Sequence, residues 1–144
     1  MMSDVPAGRP ADLDWLLASF VQKVVHARSA VVASSDGVKK HVYGLDNDQA
    51  DRLSAIATGL CSLGRGVGEF VDHGSGKVRQ VVVEHEDALL FVSKAGPGAV
   101  LAVLTTHEAD LSLVGYEMAQ LVKSVASYLA TPERVNMAPT NAVV

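Results

Sequence analysis

Apolar positions along this chain alternate between two periods. Leu13, Leu16, Leu17, Phe20, Val21 and Val24 repeat at three- and four-residue spacing, while Asp14, Gln22 and Lys23 point elsewhere, which predicts an amphipathic helix. Asp12 is a candidate N-cap for it, with Pro10 as an alternative first residue. Trp15 lies beside the stripe and is expected at the core edge. The period then shortens. Ser29 to Ser35 (SAVVASS) predicts a buried strand, Asp36-Gly37 a two-residue hairpin turn, and Val38 to Tyr43 an alternating strand. Lys39 and Lys40 suit a sheet edge, where charge discourages stray pairing. Gly44 ends the strand, and Asp46, Asn47 or Asp48 can cap a second helix.

From Asp46 to Gly68 the helical period returns with two stripes. Leu53, Ile56, Ala57, Leu60, Leu63 and Val67 form an apolar face expected to pack on the chain's own sheet. Asp48, Arg52, Ala55, Gly59, Ser62 and Gly66 form a second stripe, small in its centre and C-terminal part. A glycine inside a helix costs about 1 kcal/mol relative to alanine. Gly59 therefore invites a compensating reason: close approach of a second copy of the chain, or a tight contact within one copy.

Glu69 to Lys77 reads as a mobile loop around Gly74-Ser75-Gly76. Three closely spaced strands come next: Val78 to Glu84, Ala88 to Lys94, and Ala99 to Thr106, the last apolar enough to be covered on both faces. Leu111, Val114, Met118, Leu121, Val122, Val125 and Leu129 mark a final helix from about Asp110 to Ala130, ended by Thr131-Pro132. The division expected is a flexible lead (1–11), one domain (12–130) and a disordered tail (131–144). The order is helix, two strands, helix, three strands, helix. The short strand connections imply a mainly antiparallel α/β (α+β) sheet with helices on both faces.

Composition narrows the function classes. Net charge is −4, and no basic stripe stands out, which argues against a nucleic-acid partner. No apolar run approaches the roughly 20 residues of a bilayer span, so no membrane insertion is expected. The single Cys61 excludes an intramolecular disulfide. With no signal-peptide profile at the N-terminus, the chain is expected to be cytoplasmic.

Tempting chemistry does not hold together. Gly64, Gly66 and Gly68 follow a helix and not a strand, so they read as helix termination, not as a phosphate loop. Gly76-Lys77 has valines at the positions of the first glycine and the metal-binding hydroxyl of a Walker loop, Val71 and Val78. Ser75 lacks the outer glycines of a nucleophile elbow. His26, His41, His73, His85 and His107 are scattered, without metal-ligand spacing. Cys61 reads as a small buried side chain, and Glu84, Glu86 and Asp87 as a solvated turn. No catalytic residues, cofactor or metal are expected.

Several strings in this order resemble the Roadblock family, the dynein roadblock light chains and bacterial regulators of small Ras-like GTPases, and most of all its actinobacterial branch. They are LDWLLASFV (Leu13 to Val21), AVVASSDG (Ala30 to Gly37), DRLSAIATGLCSLGRG (Asp51 to Gly66), VRQVVVE (Val78 to Glu84), AVLAVL (Ala99 to Leu104) and DLSLVGYEM (Asp110 to Met118). The resemblance implies a profilin-like fold: a five-stranded antiparallel sheet, first and last helices on one face, central helix on the other. It implies a homodimer whose central helices pack together and whose third strands pair, through Arg52, Ala55, Gly59, Ser62 and Gly66 and through Val81, Val82 and Val83. It implies a non-enzymatic regulator or scaffold that binds a small Ras-like GTPase through Asp48, Asp51, Arg52 and Ala55, in a signalling complex that includes a sensor kinase. The alternative is a small-molecule sensor module of profilin-like fold, which requires a pocket with convergent polar groups beneath a helix.

Overall fold

The computed structural model describes residues 10–71, 77–125 and 127. Five strands form one antiparallel sheet in the order β2-β1-β5-β4-β3: β1 (Ala27–Ser34), β2 (Lys39–Tyr43), β3 (Val81–Glu84), β4 (Ala88–Lys94) and β5 (Ala99–Thr106). Helix α1 (Pro10–Lys23) precedes β1, α2 (Asn47–Arg65) joins β2 to β3, and α3 (111–125) follows β5. Strand β5 is central and nearly all of it is buried, as its continuous apolar run predicts.

Alternation along the strands builds two cores. Ala30, Val32, Leu89, Phe91, Leu101 and Val103 face α1 and α3, where they meet Leu13, Leu17, Phe20, Val114, Met118 and Val125. Val31, Leu90, Val92, Val100 and Ala102 face α2 and meet Ala57 and Cys61. The fold is the profilin-like one that the resemblance implied, with two helices on one face and one on the other.

Local departures from the sequence reading have local causes. Helix α1 starts at Pro10, whose fixed φ and missing N–H suit a first turn, so Asp12 lies inside the helix and does not cap it. The Asp36-Gly37 turn holds three residues: Ser34 N–H donates to Val38 C=O at 2.9 Å, and Gly37 takes a φ of +92°. Asp46 does cap α2, in a reciprocal capping box with Gln49. Asp110 caps α3 by accepting from the N–H groups of Ser112 and Leu113. Leu111, assigned to the buried stripe of α3, is exposed in that first turn. After α2 the chain continues into a 3-10 helix (Gly66–Phe70), so Glu69 and Phe70 are not loop residues. Gly66 keeps a right-handed φ of −63°, which lets the backbone run on without a left-handed stop. Strand β3 begins only at Val81. A Cβ on Gly64 would lie 3.3 Å from side-chain methyls of both Val78 and Val81, so the end of α2 packs closely on the segment leading into β3. The Gly74 region, His73 and the 131–144 tail lie outside the described residues.

Candidate interaction surface

The second helix does not pack on the face predicted for it. Ala50, Ser54, Ala57 and Cys61 are buried, with Leu53 and Leu60 partly so. Ile56, Leu63 and Val67, placed on the inner face by their spacing, point outward: Ile56 is 52% exposed and Leu63 74%. The inner stripe is built from small side chains, so the helix sits close to the sheet and is rotated relative to the stripe of large residues. Cys61 is held there, and burial pushes its thiol up from the ordinary value, which keeps it protonated and unreactive.

Outward rotation turns a stripe of small residues into a mixed apolar face. Arg52, Ala55, Gly59, Ser62 and Gly66 are all exposed. Interleaved with them stand Ile56, Leu63 and Val67, and the face continues into Phe70, 86% exposed, and Val71. A Cβ on Gly59 or Gly66 would meet nothing within 4 Å. No contact inside the described chain therefore requires a glycine at 59. Within α2 the glycine that does serve a close contact is Gly64. The sequence reading missed Ile56, Leu63 and Val67 as surface residues because a helical stripe of large apolar side chains is ordinarily a core stripe. The available signal was the competing small stripe Ala50, Ser54, Ala57, Cys61, whose 4-3-4 spacing is just as helical.

Beside this face lies the bare edge of the sheet. Among the described residues strand β3 pairs only with β4, and Val82 and Val83 are exposed while Val81 is half-buried against the α2 core. His85 and Ala88 exchange backbone hydrogen bonds at 2.8 and 3.3 Å across the turn. By alternation, the N–H and C=O groups of Val82 and Glu84 face away from β4 toward the open edge. At the start of α2, Lys39 Nζ fixes Asp51 at 2.7 Å, and Arg52 lies 3.4 Å from Asp48 one turn earlier. Asp48, Asp51, Arg52 and Ala55 thus lie together on the exposed N-terminal half of the helix.

The described histidines stay apart: His41 meets Asp14 at 3.0 Å, and His85 Nδ1 accepts from Asp87 N–H. Among the described residues no three His, Cys, Asp or Glu side chains converge as a metal site, and no helix is long and apolar enough to cross a membrane.

Comparison with known proteins agrees with the architecture. The family model for the Roadblock/LC7 domain matches residues 13–105. The crystal structure of a Roadblock/LC7 domain from Streptomyces avermitilis is 57% identical, with 82% of this chain and 98% of that one covered and a TM-score of 0.77. The gliding protein MglB from Thermus thermophilus is 18% identical, with 87% and 94% covered and a TM-score of 0.73. Acanthamoeba castellanii profilin IB is 10% identical, with 79% and 96% covered and a TM-score of 0.53. At the last two identities the likeness is one of fold. No curated protein matches the chain. With most of its length inside the family model and 57% identity to the Streptomyces domain over the aligned residues, the chain belongs to the Roadblock/LC7 family.

Proposed function

We propose that this chain is a non-enzymatic regulator or scaffold of a small Ras-like GTPase, acting as a homodimer in a cytoplasmic signalling complex alongside a sensor kinase. The observation that carries the reading is the outward face of α2: Ile56, Leu63, Val67 and Phe70 exposed around Gly59, directly beside an unpaired β3 edge. Contiguous exposed apolar residues mark interaction sites, and an apolar edge strand is a template for another strand. One two-fold axis answers both needs, with β3 pairing with its copy while the two α2 helices lie side by side over the joined sheet. Family membership supports the same arrangement and supplies the GTPase as partner.

Such a dimer presents two copies of Asp48, Asp51, Arg52 and Ala55 on one platform, and a single GTPase sitting off the axis meets them asymmetrically. Arg52 is the residue to change first, because an exposed arginine can anchor an interface. Calorimetry of the full chain against nucleotide-loaded Ras-like GTPases from the same genome tests the reading. Arg52→Glu is expected to weaken binding about tenfold or more while circular dichroism stays unchanged. Unchanged affinity removes the platform, and failure of every nucleotide state to bind removes the GTPase.

A further inference from the structure

The face of the sheet opposite α2 carries a second feature, which neither dimerisation nor the platform uses. Helix α3 covers the sheet beside β4, and the segment 77–80 leads into β3 at the sheet edge. Between them runs a groove of about 1070 Å3. This is the size of pockets that bury a small ligand. Its apolar lining includes Val78, Met118 and Val122. Three cations also line it, Lys77, Arg79 and Lys123; Lys94 borders it too, but by alternation its side chain lies on the α2 face with Val92. These three are exposed, and among the described residues none has an ion-pair partner and no carboxylate lines the groove. In a chain of net charge −4 this concentration of one sign is unusual.

Ser93 adds an independent observation. It lies on the strand face of Leu89 and Phe91, one step past the Val81–Val92 pair, level with Gln80 where β3 has not yet begun. It lines the groove, is only 6% exposed, and its hydroxyl has no hydrogen-bond partner among the described residues. Gln80, its neighbour across the gap, makes only a 4.0 Å contact from Nε2 to Met118 Sδ. A buried hydroxyl without a partner costs free energy that a bound acceptor recovers.

We propose that this groove binds a single-chain anionic amphiphile, a carboxylate or phosphate head on an aliphatic body. The head group takes the cations and the Ser93 hydroxyl, in hydrogen bonds strengthened by charge. The aliphatic body covers Val78, Val122 and the exposed Leu111, removing apolar surface from water. A free inorganic anion uses only the rim, and a neutral apolar ligand leaves the cations unmatched, so the two halves of the lining together specify the class. The inference is independent of the GTPase reading.

The probe is dodecyl phosphate, titrated calorimetrically into the full chain below its micelle-forming concentration. Inorganic phosphate, dodecyltrimethylammonium and phosphatidylglycerol vesicles are run in parallel. Saturable binding of dodecyl phosphate at one per chain is expected, with inorganic phosphate and the cationic detergent at least about tenfold weaker. Arg79→Glu with Lys123→Glu is expected to weaken it about tenfold or more. Ser93→Ala is expected to move two readouts in opposite directions: lower affinity for the probe, and a higher Tm for the free chain, which no longer buries an unpaired hydroxyl. The proposal is overturned if dodecyl phosphate does not bind saturably, or if the cationic detergent or inorganic phosphate binds as tightly. It also falls if only vesicles bind, or if these variants leave affinity unchanged.

Discussion

At one edge of the sheet the outermost strand carries Lys39, Lys40 and His41; at the other it carries Val81, Val82 and Val83. The β2 edge is closed off by its surroundings. Helix α1 lies against it, Lys39 is tied to Asp51 at 2.7 Å, and His41 meets Asp14 of α1 at 3.0 Å. Among the described residues the β3 edge has no such ties: it is four residues long, two of its valines are exposed, and Val82 aims its backbone groups outward. Charge and cover on an edge prevent pairing, while exposed β-branched residues invite it. The contrast suggests that the closed edge serves the fold of one copy and the open edge serves association. Substitutions on the two sides should then separate monomer stability from dimer affinity.

The largest separation is expected on the open side. Ile56→Glu with Leu63→Glu places charge on the outward face of α2, where neither side chain contributes to either core. A symmetric dimer loses four apolar contacts, two from each copy, and at about 1.5 kcal/mol or more each the dimer dissociation constant rises about ten-thousandfold or more. Sedimentation velocity should show a monomer at micromolar concentration, with helix content unchanged. An intact dimer would place the interface elsewhere.

The closed side gives the opposite signature. Gly44 ends β2 at a φ of +82°, and a Cβ there would lie 2.7 Å from the carbonyl oxygen of Arg28. Gly44→Ala imposes a left-handed conformation on a residue with a side chain and forces that contact apart. It is expected to cost about 2 kcal/mol or more of unfolding free energy in urea titration. The dimer dissociation constant, measured where the variant remains folded, should not move. A dimer constant that rises with the loss of stability would show the two edges to be coupled.

Val82→Pro returns to the open edge with a smaller change. Because the Val82 N–H faces away from β4, its removal leaves the β3–β4 ladder intact. A symmetric dimer loses that donor twice, once from each copy. At about 0.5–1.5 kcal/mol per hydrogen bond, dimer affinity is expected to fall about tenfold. Hydrogen exchange gives a second check: the Val82 amide should exchange more slowly in the dimer than in the Ile56→Glu, Leu63→Glu monomer. Equal rates would mean that β3 does not pair across the axis.

Much of this contrast was legible before the structure. Lys39 and Lys40 announced an edge because charge in a short alternating strand has no other comfortable place. Order and type of the elements followed from the three-four spacing of the helices, the alternation of β2, the continuous apolar runs of β1 and β5 and the turn residues between strands. The rotation of α2 was not legible. A helix with two periodic stripes, one large and one small, buries whichever fits closer to its sheet, and that depends on the opposing Val31, Val92 and Ala102. The groove beside α3 was invisible for a related reason: Lys77, Arg79, Ser93 and Lys123 are brought together only by the pairing of β3 with β4 and the docking of α3. No spacing along the chain records that meeting.

The smallest expected effect tests whether charge closes the β2 edge through its energy or only through its presence. Lys39 and Asp51 are 2.7 Å apart, but their side chains are 30% and 61% exposed, so water screens the pair. Ion pairs in such settings contribute about 0.2–1 kcal/mol. Lys39→Ala should therefore lower stability by no more than about that amount, and a double-mutant cycle with Asp51→Ala should assign most of the loss to the pair. Raising salt toward 1 M shortens the screening length to about 3 Å and should erase the coupling. The oligomeric mass should stay that of the wild type, because Lys40 still places a charge on the strand. If instead Lys39→Ala produced species larger than the dimer at unchanged stability, the lysine would be acting as a guard against edge pairing. In that case β2 would be an open edge held shut by one charge.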